Sequence, residues 1–205
     1  SYIAGLREGE SGISIQSHNY YLQAVKGFCR WMVLDRRASE SPLTHLKGVN
    51  ARTDKRHDRR ALEPDEIRHL LEVTRQQPTR WHMTGPERAW LYQLAAESGL
   101  RSNELRSLSK SSFDFDKCTV TVKAGYSKRR REDVLPLRPE TAAELKRLFS
   151  GKLPNAEAFR MPSKSNVVRM FRDDLKAAKI DYQDESGKFA DLHSLRHSTS
   201  SMLAA

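Results

Sequence analysis

The sequence predicts a mainly α-helical fold with one small antiparallel β-sheet, an α+β chain in two domains. Three observations carry this. Apolar residues recur at spacings of three and four in stretch after stretch, as amphipathic helices require. Two short segments, Thr119 to Lys123 and Val134 to Leu137, read as strands around a strongly cationic turn. One basic run, Arg52 to Arg60, has no apolar side chain and divides two helical regions. The predicted boundaries are residues 1–51 for a helical first domain, 52–60 for a basic linker and 61–205 for the second domain. A chain of 205 residues can bury a core as one domain or as two.

From Ile13 to Leu34, the residues Tyr21, Leu22, Val25, Phe28, Cys29 and Met32 form an apolar stripe, with Ser14 or Ser17 as N-cap. His18, Lys26 and Arg30 fall on the complementary faces. Ahead of it, Tyr2 to Gly12 holds three glycines and reads as a helix end followed by a loop. The run Arg52 to Arg60 sets five Lys and Arg residues against two Asp. It is either a solvated connector or a strap along a phosphate backbone, with Arg56, Arg59 and Arg60 as its contacts.

The second domain opens at Leu62-Glu63-Pro64-Asp65-Glu66, with proline and acidic residues in a first helical turn. Ile67, Leu70, Leu71 and Val73 form the buried stripe of that helix. The next runs from Pro86 through Ala89, Trp90, Leu91, Leu94 and Ala95, and Gly99 is placed to end it. A helix restarts at Leu100-Arg101-Ser102-Asn103-Glu104-Leu105. The two strands follow, with Lys128-Arg129-Arg130-Arg131 at the tip and flank of their hairpin. Helices are then predicted over Pro139 to Phe149 and Ser165 to Ala178, the latter with Val167, Val168, Phe171 and Leu175 inward and Arg169 and Arg172 outward. A polar loop from Asp181 to Lys188 leads to Asp191-Leu192-His193-Ser194-Leu195-Arg196-His197.

A formal charge of +10 and a pI near 9.8 suggest a polyanionic partner, nucleic acid before a membrane surface. No run approaches the ~18 apolar residues of a membrane span, and the N-terminus has no signal-peptide pattern. The first residue is Ser1, which reads as the start of a piece cut from something longer. Cys29 and Cys118 show no CxxC spacing, so neither a disulfide framework nor a zinc site is expected, and an intracellular, cytoplasmic setting follows.

On a helix, His193, Arg196 and His197 would share one face. An ordinary basic surface helix has the same composition. An arginine fork between groups that titrate near neutrality also suits a phosphate that must be gripped and protonated. Arg101 adds a second fork from another helix. Together they could clamp both non-bridging oxygens and stabilise charge in a pentacoordinate transition state. Lys123, at a strand end beside a mobile tip, could protonate a leaving 5′ oxygen. No carboxylate cluster suited to divalent metals is evident, so no metal or cofactor is expected.

The ordered set Ser98-Gly99-Leu100-Arg101-Ser102-Asn103-Glu104-Leu105, a lysine-bearing hairpin ending Leu135-Pro136-Leu137, and His193-Ser194-Leu195-Arg196-His197 resembles the tyrosine recombinase (phage-type integrase) family. The first element is similar to its (T/S)GLRxxEL box and the last to its HxLRHT box. The Asn19 to Met32 helix, ahead of the basic run and Ala61-Leu62-Glu63-Pro64-Asp65-Glu66-Ile67, resembles its core-binding domain and the start of its catalytic domain. The resemblance implies that Arg101 and Arg196 clamp phosphate and that Lys123, or alternatively Lys128, is the hairpin general acid. It further implies that His193 is an acid/base group, that Glu104 supports the site, and that His197 is a structural partner behind it. Lys26, Arg30, Arg56, Arg59, Arg60, Arg129, Arg130 and Arg169 are the expected contacts to double-stranded DNA. The implied assembly is a tetramer on DNA, with a monomer in solution. The sequence departs from the family in one respect: no tyrosine follows Tyr182, where the nucleophile belongs.

Overall fold

The structure is a computed structural model that describes residues 5–7, 12–127, 130–196 and 198. The chain divides into two compact units, Ser1–Asp58 and Arg59–Ala205. That division falls inside the basic run.

The first unit is built on helix α1, Ile15–Leu34, whose N-cap is Ser14: its hydroxyl accepts from the Ser17 amide at 3.1 Å. Ile15, His18 and Leu22 are its buried residues. The loop that follows is tied back along this side. The Asn19 amide donates to Val49 O at 2.7 Å and accepts from Val49 N at 2.9 Å, and Lys26 Nζ donates to Leu46 O at 2.6 Å. The predicted apolar stripe is therefore corrected. Tyr21, Val25 and Phe28 are exposed with Trp31, and only Leu22 of that stripe is buried. The line 15, 18 and 22 packs inward because the returning loop covers that face.

The second unit holds helices α2 (Pro64–Arg75), α3 (Gly85–Ser98), α4 (Ser102–Ser107), α5 (Pro139–Leu148) and α6 (Lys164–Ala177), with strands β1 (Phe113–Asp114), β2 (Thr119–Val122) and β3 (Asp133–Pro136). The strands form one antiparallel sheet in the order β1-β2-β3, with Val122 opposite Asp133 and Thr119 opposite Pro136. Val120 and Val122 alternate into the core, as a half-buried strand should. Strand β1 is an addition to the predicted hairpin. Helices α2 and α3 pack against each other, and α6 packs on α2, around Ile67, Leu70, Leu91, Leu94, Phe171 and Leu175. The α2–α3 approach depends on Gly85, where a Cβ would meet the carbonyl oxygens of Thr74 and Gln77 at 2.5 Å.

Two inward assignments are corrected. Val168 is exposed and Met170 is buried in its stead, while Val73 is only partly buried and Thr74 completely so. In both helices the neighbouring packed element selects a slightly rotated face. Among the described residues, no helix is long and apolar enough to cross a membrane.

A polar network lies inside this core. Arg88 and Asp174 are both fully buried. Arg88 donates through Nε to Asp174 Oδ2 at 2.8 Å, through Nη2 to Oδ1 at 3.1 Å, and through Nη1 to the carbonyls of Met83 at 2.8 Å and Pro78 at 3.0 Å. Tyr92 Oη donates to Asp174 Oδ2 at 2.8 Å. Burial, and then the Asp174 charge, hold the Tyr92 phenol well above its ordinary range.

Candidate active site

The site begins where α3 ends. Gly99 takes the left-handed conformation at φ 64°, which terminates α3 and turns the chain sharply. Buried Leu100 anchors the corner, and Arg101 becomes the residue that caps α4. Its backbone N–H donates to Glu104 Oε2 at 2.7 Å and its Nη1 to Oε1 at 2.9 Å. The Glu104 side chain is only 7% exposed, whereas that of Arg101 is 38% exposed. One buried carboxylate at a helix N-terminus therefore fixes an arginine whose remaining donors face outward.

Arg196 arrives from the far end of the chain. Leu195 is fully buried and holds the helical residues 194–196 to the core. The turn before them is closed reciprocally: Ser194 N donates to Asp191 Oδ1 at 3.1 Å and Asp191 N to Ser194 Oγ at 3.0 Å. Ser198 accepts from Leu62 N at 3.0 Å and donates to Leu62 O at 2.7 Å. So fixed, Arg196 donates through Nη1 to Gly99 O at 2.5 Å. The left-handed corner that positions Arg101 thus also seats Arg196.

Arg101 and Arg196 line one cleft of about 220 Å³, with Glu104, Arg131 and Asp133. A second cleft of about 350 Å³ lies on the other side of Arg101 and takes in Asn103, Lys164, Val167, Leu192 and His193. Here the single helical face expected for His193 and Arg196 is corrected. His193 sits in the turn before the helical residues and borders the neighbouring cleft, with Arg101 shared between the two. The Asp191–Ser194 cap sets that turn.

Lys123 is the first residue after β2 and is exposed; its carbonyl accepts from Tyr126 N at 3.0 Å and Ser127 N at 3.3 Å. It lines neither of these clefts. From the hairpin, Arg131 lines the first. By sequence Arg131 belongs to the cationic tip, because the register that starts β3 at Asp133 has no composition signal. Lys128, Arg129 and His197 lie outside the described residues.

The other expected DNA contacts are spread over the two units. In the first, Arg30 is exposed and lines a cleft of about 580 Å³ with Lys26, whose ammonium is engaged by loop carbonyls. Arg56 donates to Asp54 at 2.9 Å, to Gly12 O at 2.6 Å and to Ile13 O at 3.2 Å. The Arg56 hydrogen bond holds the Asp54 carboxyl below the usual carboxylate range. In the second unit, Arg59 pairs with Asp191 at 2.6 Å, and Arg60 grips Glu66 with bonds of 2.8 and 2.9 Å. Burial alone would raise the Glu66 carboxyl, but the Arg60 bonds and the Glu63 amide outweigh it and leave it lowered. The basic run is thus exposed over most of its length yet anchored at three arginines. Arg130 and Arg169 are exposed.

The phage integrase family matches residues 60–205. The tyrosine recombinase XerC of Salmonella typhi is 28% identical over 159 residues, 72% of this chain and 50% of that protein. XerC of Shewanella oneidensis is 30% identical over 126 residues, 62% of this chain and 38% of that protein. The chain therefore spans half or less of the length of these curated relatives. Among solved structures, the Tn1549 transposon integrase in complex with transposon right end DNA is similar with a TM-score of 0.72 at 16% identity, over 99% of this chain and 70% of that one. XerA recombinase is similar with a TM-score of 0.54 at 22% identity, over 99% and 66% of the respective chains. These likenesses extend the fold over both units. With the match running from Arg60 through both arginine boxes, the chain belongs to the phage integrase family.

Proposed function

We propose that this chain is the DNA-handling portion of a site-specific recombinase that cuts and rejoins strands through a 3′-phosphotyrosyl intermediate. The observation that carries the reading is the convergence of Arg101 and Arg196 on one cleft, braced by buried Glu104 and joined through the Gly99 carbonyl. Two guanidinium groups fixed in this way suit the non-bridging oxygens of a phosphodiester and the charge that grows on them in the transition state. A tyrosine supplied by the complete protein attacks phosphorus. The tyrosyl O–P bond forms, the P–O5′ bond breaks, the phenolic proton leaves and the 5′ oxygen takes one up. His193 is assigned the nucleophile's proton. Lys123, or alternatively Lys128, is assigned the 5′ oxygen, and His197 supports the site from behind. The released 5′ hydroxyl then attacks a partner strand. Bond energy is kept in the covalent intermediate, so this route requires neither nucleotide nor metal. The residues before Arg59 act as a core-binding domain, and synapsis brings about four protomers onto two duplexes in the cytoplasm, at the nucleoid.

The test is incubation of the full-length protein with a nicked duplex substrate in the presence of EDTA. A denaturant-stable protein–DNA adduct is expected. Tight binding without an adduct overturns the reading in favour of a duplex-binding module of the same fold. Tyr182 is held by packing, under Arg172 at 3.8 Å and beside Phe189 at 5.4 Å, and is not assigned as the nucleophile.

A further inference from the structure

Arg131 makes the same kind of ion pair as exposed Arg37 and Arg56 but differs in place, because it lines the cleft of Arg101 and Arg196. Its Nε pairs with Asp133 Oδ1 at 3.1 Å, its side chain is 63% exposed, and the residue lines the cleft that Arg101 and Arg196 share. Asp133 is itself fixed. It is the first residue of β3, opposite Val122, and its Oδ2 accepts from the hydroxyl of buried Ser127 at 3.0 Å. The hairpin base thus aims Arg131 much as Glu104 aims Arg101.

Charge gives this placement a function. Among the described lining residues, Arg101, Arg196, Glu104 and Asp133 sum to zero, two positive against two negative. Arg131 brings the sum to one positive charge, which matches a phosphodiester monoanion. An exposed ion pair made only for stability contributes little and would not need to line this cleft. We propose that Arg131 is a third phosphate-contacting arginine, delivered by the hairpin to the phosphate that Arg101 and Arg196 clamp. The inference rests on the reading of that cleft as a phosphate site.

The experiment is a titration of this chain with inorganic phosphate, followed by the Nε–Hε resonances of its arginines. The resonances of Arg101, Arg131 and Arg196 are expected to move along one saturation curve. Arg131→Ala should weaken phosphate on the order of tenfold, as loss of a charged hydrogen-bond partner implies. Arg131→Lys, which keeps the charge and loses the fork, should recover only part of that. Arg147→Ala, an exposed change on α5, should leave the affinity unchanged. If Arg101 and Arg196 respond while Arg131 stays still, or if Arg131→Ala binds like the parent, the inference is overturned and the phosphate site stands. If none of the three responds, the phosphate reading itself fails.

Discussion

The second unit contains two arginine–carboxylate sites that differ in one respect. At Arg88 and Asp174, Nε and both terminal nitrogens of the guanidinium are engaged, and neither side chain reaches solvent. At Arg101 and Glu104 the carboxylate is just as enclosed, but the guanidinium uses only Nη1 on it and stays more than a third exposed. A saturated pair can only hold the fold together. A pair saturated on its carboxylate side alone is a preorganised donor, because the carboxylate already fixes the guanidinium while some of its N–H groups remain to be used. The contrast separates an arginine whose bonds are all spent on the fold from one with donors to spare, which is the one proposed to bind phosphate.

The sharpest way to break the comparison is Asp174→Ala. It would leave Arg88 charged and unpaired in the core, and the expected loss is about 3–5 kcal/mol in a denaturant melt. A loss below about 1 kcal/mol would mean that water reaches the network and that it is not sealed. Arg196→Ala should do the reverse. In the full-length protein, adduct yield should fall about 10²–10³-fold, as for removal of a transition-state donor. Stability should drop by no more than about 1.5 kcal/mol, the worth of the bond to Gly99 O. A larger structural loss with normal adduct would move Arg196 into the same class as Arg88. The smallest effect belongs to the partly buried pair of Arg60 and Glu66. The folded-state carboxyl of Glu66 is lowered, so its contribution is complete above the ordinary carboxylate range and disappears as pH falls through the depressed value. Glu66→Gln should therefore cost under about 1 kcal/mol at neutral pH and flatten the acid limb of the stability curve. An unchanged acid limb would remove the pair from the ledger of stabilising contacts.

What could be read in advance follows the same division. Helix positions were legible because packing imposes a period, and Gly99 because only a left-handed corner explains a glycine there. The two arginine boxes were legible because their spacing is local. Arg88 and Asp174 were not, since they lie 86 residues apart and each looks like an outward polar residue in its own helix. Choosing Arg131 over Lys123 as the described hairpin cation that lines the cleft was equally beyond reach. A long cationic turn permits several registers, and only the pairing of Val122 with Asp133 selects one. The exposed aromatics of α1 carried a correct period but no indication of which face the returning loop would cover.

The Gly99 carbonyl joins residues 97 positions apart, and the Ser198 hydroxyl ties the same segment to Leu62 across 136. Both closures span most of the unit. Such distant contacts form late, after the local helices, because the chain must first surrender the entropy of the intervening loop. During synthesis the Arg101 corner emerges and folds well before the ribosome has released Arg196. A nascent chain that stops before Leu195 therefore has the Arg101 corner but neither the Arg196 bond to Gly99 nor the Ser198 tie to Leu62. The cleft that Arg101 and Arg196 share is thus completed only once the last of these segments has been made.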